Sequence, residues 1–557
     1  MSSKRSSCRR RLALTLAALL SSQTPVWAGT AFTDVSPADG IFQTPDTHDF
    51  WLASLTAADF DGDGDLDLAV FGFEVEYNVS AVDQLRLLRN DGVAGDGRQI
   101  LVETIVPING LFGSESHLST ADYDQDGDPD LLVASRGGMA LFRNDAGVLL
   151  QTDTVLPDYR EDSGFDSAYD LRAISWGDVD NDGDPDVILP TVEEGGGLLQ
   201  LQPRWLRNEG PGSGNAWNFT TLPLHEGTVS NAQTRLADVD GDGDLDLWEA
   251  DIDNTLDTGF VRRYDNDAGQ FLPAREVGIS PISGSADWAD VDADGDLDVL
   301  VAGRYLDGNG DIFDGLNLFI DNGSGFDQVT LPLPSPGWLD VLGCSWADYD
   351  GDGDVDLLVT GSFIGDTDIE GEARVYLNDG LGGFEIQPQA LPAPISSIGR
   401  GGAFQWVDID GDDDLDYLAS GAFYVPGGNG LVEARTFLMR NPGGNGNQAP
   451  SAPAAPVVQV TGDSVQLNWL APADDSTPAA ALTYELQLSP LGGGATGAHT
   501  SEPGTLGQVT QWRFTGLPAG SYRWRLQALD RAHAASAPVE GQVEVLGPDG
   551  LFGNGFE

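Results

Sequence analysis

Seven copies of one acidic decapeptide run through this 557-residue chain. They read DFDGDGDLDL from Asp59, DYDQDGDPDL from Asp122, DVDNDGDPDV from Asp178, DVDGDGDLDL from Asp238, DVDADGDLDV from Asp290, DYDGDGDVDL from Asp348 and DIDGDDDLDY from Asp408. The first aspartates recur every 52 to 63 residues. A period of that size is the mark of a repeat architecture, in which each unit buries its apolar faces only against its neighbours.

The residues around each copy show what the unit is made of. An apolar stretch leads up to the first aspartate and ends in Ala58, Ala121, Gly177, Ala237, Ala289, Ala347 or Val407. Four stretches carry a Trp two places earlier (Trp176, Trp288, Trp346, Trp406). After the acidic run, apolar residues alternate, as in Leu66, Leu68 and Val70, which is strand period. A third strand is expected to end at a turn built on Asn90, Asn144, Asn208, Asn266, Asn322, Asn378 or Asn441, since Asn-Asp-Gly and Asn-Gly suit tight hairpins. A fourth begins after the turn, with Phe219, Phe271, Phe326 and Phe384 among its first residues. Seven units of four antiparallel strands predict a seven-bladed β-propeller over residues 29–445. The last unit has no fourth strand after Asn441. Gly29–Val35 has the missing pattern, so the N-terminal strand is expected to complete the last blade and leave no open edge.

The acidic run has the chemistry of a calcium loop. Aspartates at positions 1, 3 and 5 with glycine at 6 curl the backbone around a hard cation, which takes six to eight oxygens at about 2.3–2.6 Å. Position 9 is again Asp. The candidate ligands at these positions are Asp59, Asp61, Asp63 and Asp67; Asp122, Asp124, Asp126 and Asp130; Asp178, Asp180, Asp182 and Asp186; Asp238, Asp240, Asp242 and Asp246; Asp290, Asp292, Asp294 and Asp298; Asp348, Asp350, Asp352 and Asp356; and Asp408, Asp410, Asp412 and Asp416. Merely solvated turns would leave five carboxylates repelling one another within nine residues. The loop is not an EF-hand, because position 12 is apolar in every copy except the fourth, where it is Glu249, and no helices flank it. In the seventh copy Asp413 stands where glycine is needed, so a strained turn and weaker binding are expected there.

The repeated DxDxDGDxD with its following NDG turn resembles the FG-GAP or VCBS repeat, the blade of integrin alpha heads and of many exported bacterial proteins. The resemblance implies Ca2+ at up to seven sites, bound through the side chains at positions 1, 3, 5 and 9 and the carbonyl at position 7. The carbonyl donors would be Asp65, Asp128, Asp184, Asp244, Asp296, Asp354 and Asp414. It also implies that the calcium loops share one face of the ring and that ligands dock on the other. Variable loops carrying Tyr305, Phe313, Phe363, Phe423 and Tyr424 should gather on that second face, as recognition aromatics or as ordinary packing.

The ends of the chain read differently. Basic residues Lys4 to Arg11, the apolar Leu12–Leu20 and Val26-Trp27-Ala28 predict a cleavable signal peptide over 1–28, hence a secreted or cell-surface protein of bacterial type. Residues 446–456 are a Pro/Ala linker. Residues 457–546, with Trp469, Tyr484, Leu517 and Tyr522, resemble a fibronectin type III β-sandwich in which Tyr522 is the corner tyrosine. The tail 547–557 (DGLFGNGFE among it) resembles terminal tags of exported bacterial proteins. The fold class is therefore all-β, a propeller followed by a sandwich.

The formal charge of -62 argues against nucleic acid and anionic membrane as partners, and 36 of the 89 acids sit in the loops. The five histidines form no HExxH, and no GxSxG or P-loop occurs. Cys344, in an expected inner strand, reads as a buried structural thiol. The reading is an exported, monomeric, calcium-binding module for an extracellular protein or glycan, with no catalytic residues and no organic cofactor. An enzyme acting on polysaccharide or phosphoester, and a structural surface component, stay open as alternatives.

Overall fold

The computed structural model describes residues 32–36, 48–76, 81–95, 97–112, 116–135, 137–156, 174–195, 198–224, 232–239, 242–251, 259–267, 269–280, 283–306, 312–323, 325–334, 338–364, 369–387, 391–393, 402–424, 432–441, 447–454, 456–491 and 506–545. The signal-peptide segment, residues 29–31 and the tail lie outside them. The described residues form strands and turns without a helix, and every strand pairing is antiparallel. No helix among the described residues is long and apolar enough to cross a membrane.

Seven sheets follow one another along the chain. Sheet 1 is His48–Ala58, Asp67–Glu76, Ala81–Val93 and Gln99–Val106. Sheet 2 is Ser116–Ala121, Asp130–Ser135, Gly138–Asn144 and Leu149–Gln151. Sheet 3 is Ser175–Gly177, Asp186–Gly195, Leu198–Pro211 and Trp217–Pro223. Sheet 4 is Ala232–Ala237, Asp246–Asp251, Gly259–Tyr264 and Arg275–Ser280. Sheet 5 is Ser283–Ala289, Asp298–Leu306, Ile312–Asp321 and Phe326–Leu331. Sheet 6 is Trp338–Ala347, Asp356–Ile364, Ile369–Asn378 and Phe384–Ile386, with Leu391–Pro392 also on its third strand. Sheet 7 is Gly402–Val407, Asp416–Tyr424, Val432–Arg440 and, from the other end of the chain, Thr33–Asp34. Thr33 faces Arg440 and Asp34 faces Met439, and the Val35 amide donates to the Leu438 carbonyl at 2.9 Å.

The first strands of successive sheets touch in chain order, and that of sheet 7 touches that of sheet 1, so the contacts run round a closed circuit. A hydrophobic cluster fills each junction between neighbouring sheets. Between sheets 7 and 1, for instance, Val407, Ile409, Leu418 and Leu438 pack on Leu66, Leu68, Val70 and Leu88. The second strands are therefore covered on both faces, and Asp130–Ser135 is buried at every position. Outer strands such as Trp217–Pro223 are covered on one face, and their burial switches along the strand. One expected strand start is corrected: Phe271 makes only an isolated bridge to Asn266, and the fourth strand of sheet 4 begins at Arg275.

Two three-stranded sheets follow. One joins Val457–Thr461, Ser464–Asn468 and Gln511–Phe514; the other joins Thr483–Pro490, Gly520–Leu529 and Val539–Val545. Trp469, Tyr484, Trp512 and Trp524 are buried between them, although Trp469 lies just past its strand. The Tyr522 hydroxyl donates to the Pro518 carbonyl at 2.9 Å. This C-terminal module packs on the ring, for its apolar core is continuous with Val179, Leu236 and Leu245 of sheets 3 and 4. Cys344 is buried and in no disulfide among the described residues.

Candidate metal centres

Each acidic loop is the hairpin between the first and second strands of its sheet. The residue before position 1 pairs with position 9 in every sheet, as Ala58 does with Asp67 and Val407 with Asp416. Position 9 thus opens the central strand and is almost completely buried in all seven loops. One of its oxygens accepts the amide of position 2, at 3.0 Å from Phe60 and 2.8 Å from Val291. The other accepts the amide at the end of the third strand, at 2.7 Å from Asn90 and 2.9 Å from Asn378. This carboxylate knits three strands together as well as facing the loop.

The remaining loop aspartates shape the turn. Position 1 accepts the position 6 amide in all seven loops, at 3.0 Å for Gly64 to Asp59 and 2.9 Å for Gly353 to Asp348. Position 5 accepts the position 7 amide, as Asp126 does from Asp128 at 3.2 Å. Six position 6 glycines hold φ between 95° and 104°, open to glycine alone. Asp413 sits at φ 65°, the left-handed basin that Asp tolerates, so the seventh loop closes by a shifted backbone. Position 4 is also left-handed, and Gln125, Asn181 and Ala293 adopt φ near 60° there.

These constraints bring carboxylates together. Oxygens of Asp59, Asp61 and Asp67 lie within 4.8 Å of one another, as do those of Asp122, Asp124 and Asp130, of Asp178, Asp180 and Asp186, and of Asp348, Asp350 and Asp356. In the fifth loop the group is Asp290, Asp292 and Asp294, with position 5 in place of position 9. Buried oxygens of Asp122, Asp180, Asp292, Asp350 and Asp410 have no hydrogen-bond donor among the described residues. Buried acceptors without donors, grouped with other carboxylates, suit a hard cation that prefers oxygen. These clusters could hold a metal ion. Position 7 side chains turn away: Asp128 accepts the Ala146 amide, Asp184 accepts Gln125 Nε2 and Asp244 accepts Asn181 Nδ2. Asp240 lies outside the described residues.

The clusters hold protons tightly. Burial, then the charges of Asp126 and Asp124, pushes Asp122 up to about 8. Burial pushes Asp298, Asp356 and Asp416 up to about 8 and Asp67 up to about 7.

Three features are absent from the sequence reading. First, the turn asparagines do more than turn. Asn144 Nδ2 donates to the Phe60 carbonyl of sheet 1 at 2.8 Å, and Asn208, Asn266, Asn378 and Asn441 reach back to Tyr123, Val179, Val291 and Tyr349. Asn90 reaches Ile409 of sheet 7 at 2.8 Å, across the closing junction. In sheet 5 the corresponding residue is Asp321, not the expected Asn322, since the Asp321 amide meets Asp298 at 2.7 Å. The Asp321 side chain has no N–H to pass back to the preceding sheet. Second, guanidinium groups sit by some loops: Arg440 Nε lies 2.6 Å from Asp410 and Arg263 Nη2 3.4 Å from Asp246.

Third, the C-terminal module covers several loops. Arg531 is buried; it donates to the Asp290 carbonyl at 2.8 Å, the Asp290 carboxylate at 3.2 Å and the Gly353 carbonyl at 3.0 Å. Its own carbonyl accepts the Asp348 amide at 3.0 Å, and the Thr515 amide donates to Asn181 at 2.7 Å. Asn447, in the expected linker, joins the Asp413 carbonyl to Asp530. Of the candidate recognition aromatics, Tyr305 is buried and donates to the Val301 carbonyl, whereas Phe313, stacked on it, is 47% exposed. The side chains of Phe363, Phe423 and Tyr424 lie outside the described residues.

An FG-GAP-like repeat model matches residues 122–189, 238–301 and 290–359, so the chain carries FG-GAP-like repeats over those segments. No curated protein matches it by sequence. Among solved structures, the extracellular domain of a one-component system from B. thetaiotaomicron is 10% identical, with a TM-score of 0.36 over 93% of this chain and 58% of that one. The chain thus spans under two thirds of that relative's length. Chaetomium thermophilum Sqt1 bound to the N-terminus of ribosomal protein L10 is 10% identical, with a TM-score of 0.38 over 71% and 97%. A Bacillus licheniformis rhamnogalacturonan lyase is 15% identical, with a TM-score of 0.26 over 81% and 76%.

Proposed function

We propose that this is an exported calcium-binding protein whose seven sheets are the blades of one closed propeller, serving as a binding module for an extracellular protein or glycan. In this reading residues 29–445 are the propeller, 446–456 lead into a fibronectin type III-like module over 457–546, and a cleaved signal precedes them. The observation that carries it is the convergence of positions 1, 3 and 9 to within 4.8 Å in the first, second, third and sixth loops. Buried carboxylate oxygens without donors stand in or beside those groups. Calcium suits such a site because it takes many oxygens in flexible geometry.

The bound ion would be structural. Its ligands sit at the ends of the central strands, so neutralising them holds each hairpin and its neighbours in register. The C-terminal module covers much of the loop face, which leaves the opposite face for a partner. Metal analysis of the purified chain after dialysis against millimolar calcium tests the reading. Several calcium ions per chain are expected, and fewer after Asp350→Ala; a chain that retains none refutes it.

A further inference from the structure

A cavity of about 490 Å³ lies where the loop ends of the first strands meet the C-terminal module. That volume is in the range of small-molecule sites. Its ring wall includes the residue three places before each first aspartate: Thr56, Ser119, Ser175, Arg235, Asp287, Ser345 and Gln405. The repeat therefore presents one polar side chain per sheet at the same level of the wall, and a single member of this set is cationic.

Arg235 is the anomaly. It is half-buried, yet its side chain makes no hydrogen bond or ion pair among the described residues, and its Nε is buried without an acceptor. Two buried arginines elsewhere are paired with acids. Arg86 is clasped by Glu74 and Glu103, and Arg531 by Asp290. The one acid of this set, Asp287, is occupied, because its oxygens accept the Trp288 and Trp346 amides at 2.9 Å. Holding a guanidinium away from carboxylates costs free energy in any fold, and more so in a chain with a formal charge of -62, where acids are plentiful. Around it, the Ser119 and Ser345 hydroxyls make no hydrogen bond among the described residues either. The indole N–H groups of Trp176 and Trp288, which also line the cavity, have no acceptor.

We propose that this cavity is a binding site for a small hydroxylated carboxylate of the sugar-acid class, with Arg235 as its carboxylate anchor. A planar guanidinium takes a carboxylate through two parallel N–H bonds. The serine, threonine and Gln405 wall matches hydroxyl groups, and the unpartnered indole N–H groups of Trp176 and Trp288 suit acceptors on the guest. The site adjoins the metal loops, since Asp122, Asp178 and Asp290 also line the cavity, but its anchor is not one of their ligands.

The test is titration calorimetry of the calcium-loaded full chain with D-glucuronate, using glucose as the uncharged control and acetate as the hydroxyl-free one. Glucuronate should bind at least tenfold more tightly than either control. Arg235→Gln should weaken it tenfold or more, and Arg235→Lys, which keeps charge but not the fork, should weaken it less. Both variants should melt at or above the parent temperature, because an unpaired charge is relieved. No heat with glucuronate, equal binding by Arg235→Gln, or equal binding of acetate overturns the proposal. So does an Arg235 variant that melts lower or fails to fold, which would make the guanidinium structural.

Discussion

Asn378 and Asp321 occupy the same place in successive units, and the difference between them isolates what the turn amide contributes. Asn378 Nδ2 spans two sheets, to Val291 and Val355, while its own amide meets Asp356. Asn378→Asp removes both buried donors and should destabilise the chain by roughly 1–3 kcal/mol. Asp321→Asn should add the absent bond and stabilise it by about 1 kcal/mol. Urea unfolding of the two variants checks this. The glycine at position 6 was legible from the sequence because a backbone at φ near 100° admits little else. The asparagine was legible as a turn former but not as a latch. A hint was available: Asn persists while the residues after it change from Asp-Gly to Glu-Gly to Pro-Gly-Gly, which a residue needed only for the turn has no reason to do.

The buried carboxyls of the loops also set a pH dependence. Burial raises Asp122, Asp298, Asp356 and Asp416 to about 8 in the folded chain, from an ordinary value of 3.8. A group that holds its proton more tightly when folded stabilises the fold at low pH, and that contribution is lost as pH climbs through the raised value. Metal-free protein should therefore melt at lower temperature at pH 8 than at pH 5. With saturating calcium the trend should reverse, because protons and the cation compete for the same oxygens. Melting curves at the two pH values, with and without calcium, decide it.

At the scale of the element, the four-strand unit was readable from period and punctuation alone, because each hairpin is fixed by residues inside its own repeat. Errors arose where neighbours intervene. Phe271 failed to start a strand because the pairing of sheet 4 begins later, at Arg275. The loops are likewise unequal for reasons outside themselves. The seventh has Asp413 at position 6 and Arg440 against Asp410. Asp413→Gly should let its backbone adopt the turn of the other loops and tighten calcium at that site severalfold. Calcium titration of the variant beside the parent would show an added or strengthened site; an unchanged isotherm would mean that Arg440 already fills that role.

In the whole molecule, the arrangement of the C-terminal module was the least legible feature. Residues 446–456 have a linker's composition, and no local pattern says that Arg531 will lie on a loop more than two hundred residues earlier. That contact depends on shape, through the continuity of the module's core with sheets 3 and 4. Arg531→Ala would leave the Asp290 and Gly353 carbonyls without this donor and the buried Asp290 carboxylate without its ion-pair partner. Such a loss typically costs about 3–5 kcal/mol. Calorimetry should then resolve the module's unfolding from that of the ring, where the parent melts as a unit. Gly353 marks the same seam, since a Cβ there would fall 2.2 Å from the Ser476 carbonyl.

The decisive measurement for the metal-loop account is thermal unfolding of the full chain in millimolar calcium and again after the ion is stripped by chelator at neutral pH. A ligand held only by the native state stabilises it by about 2.7 kcal/mol per site when present at a hundred times its dissociation constant. Several such sites should raise the melting temperature by well over ten degrees, and readdition of calcium should restore it. Superimposable curves with and without calcium would contradict the account.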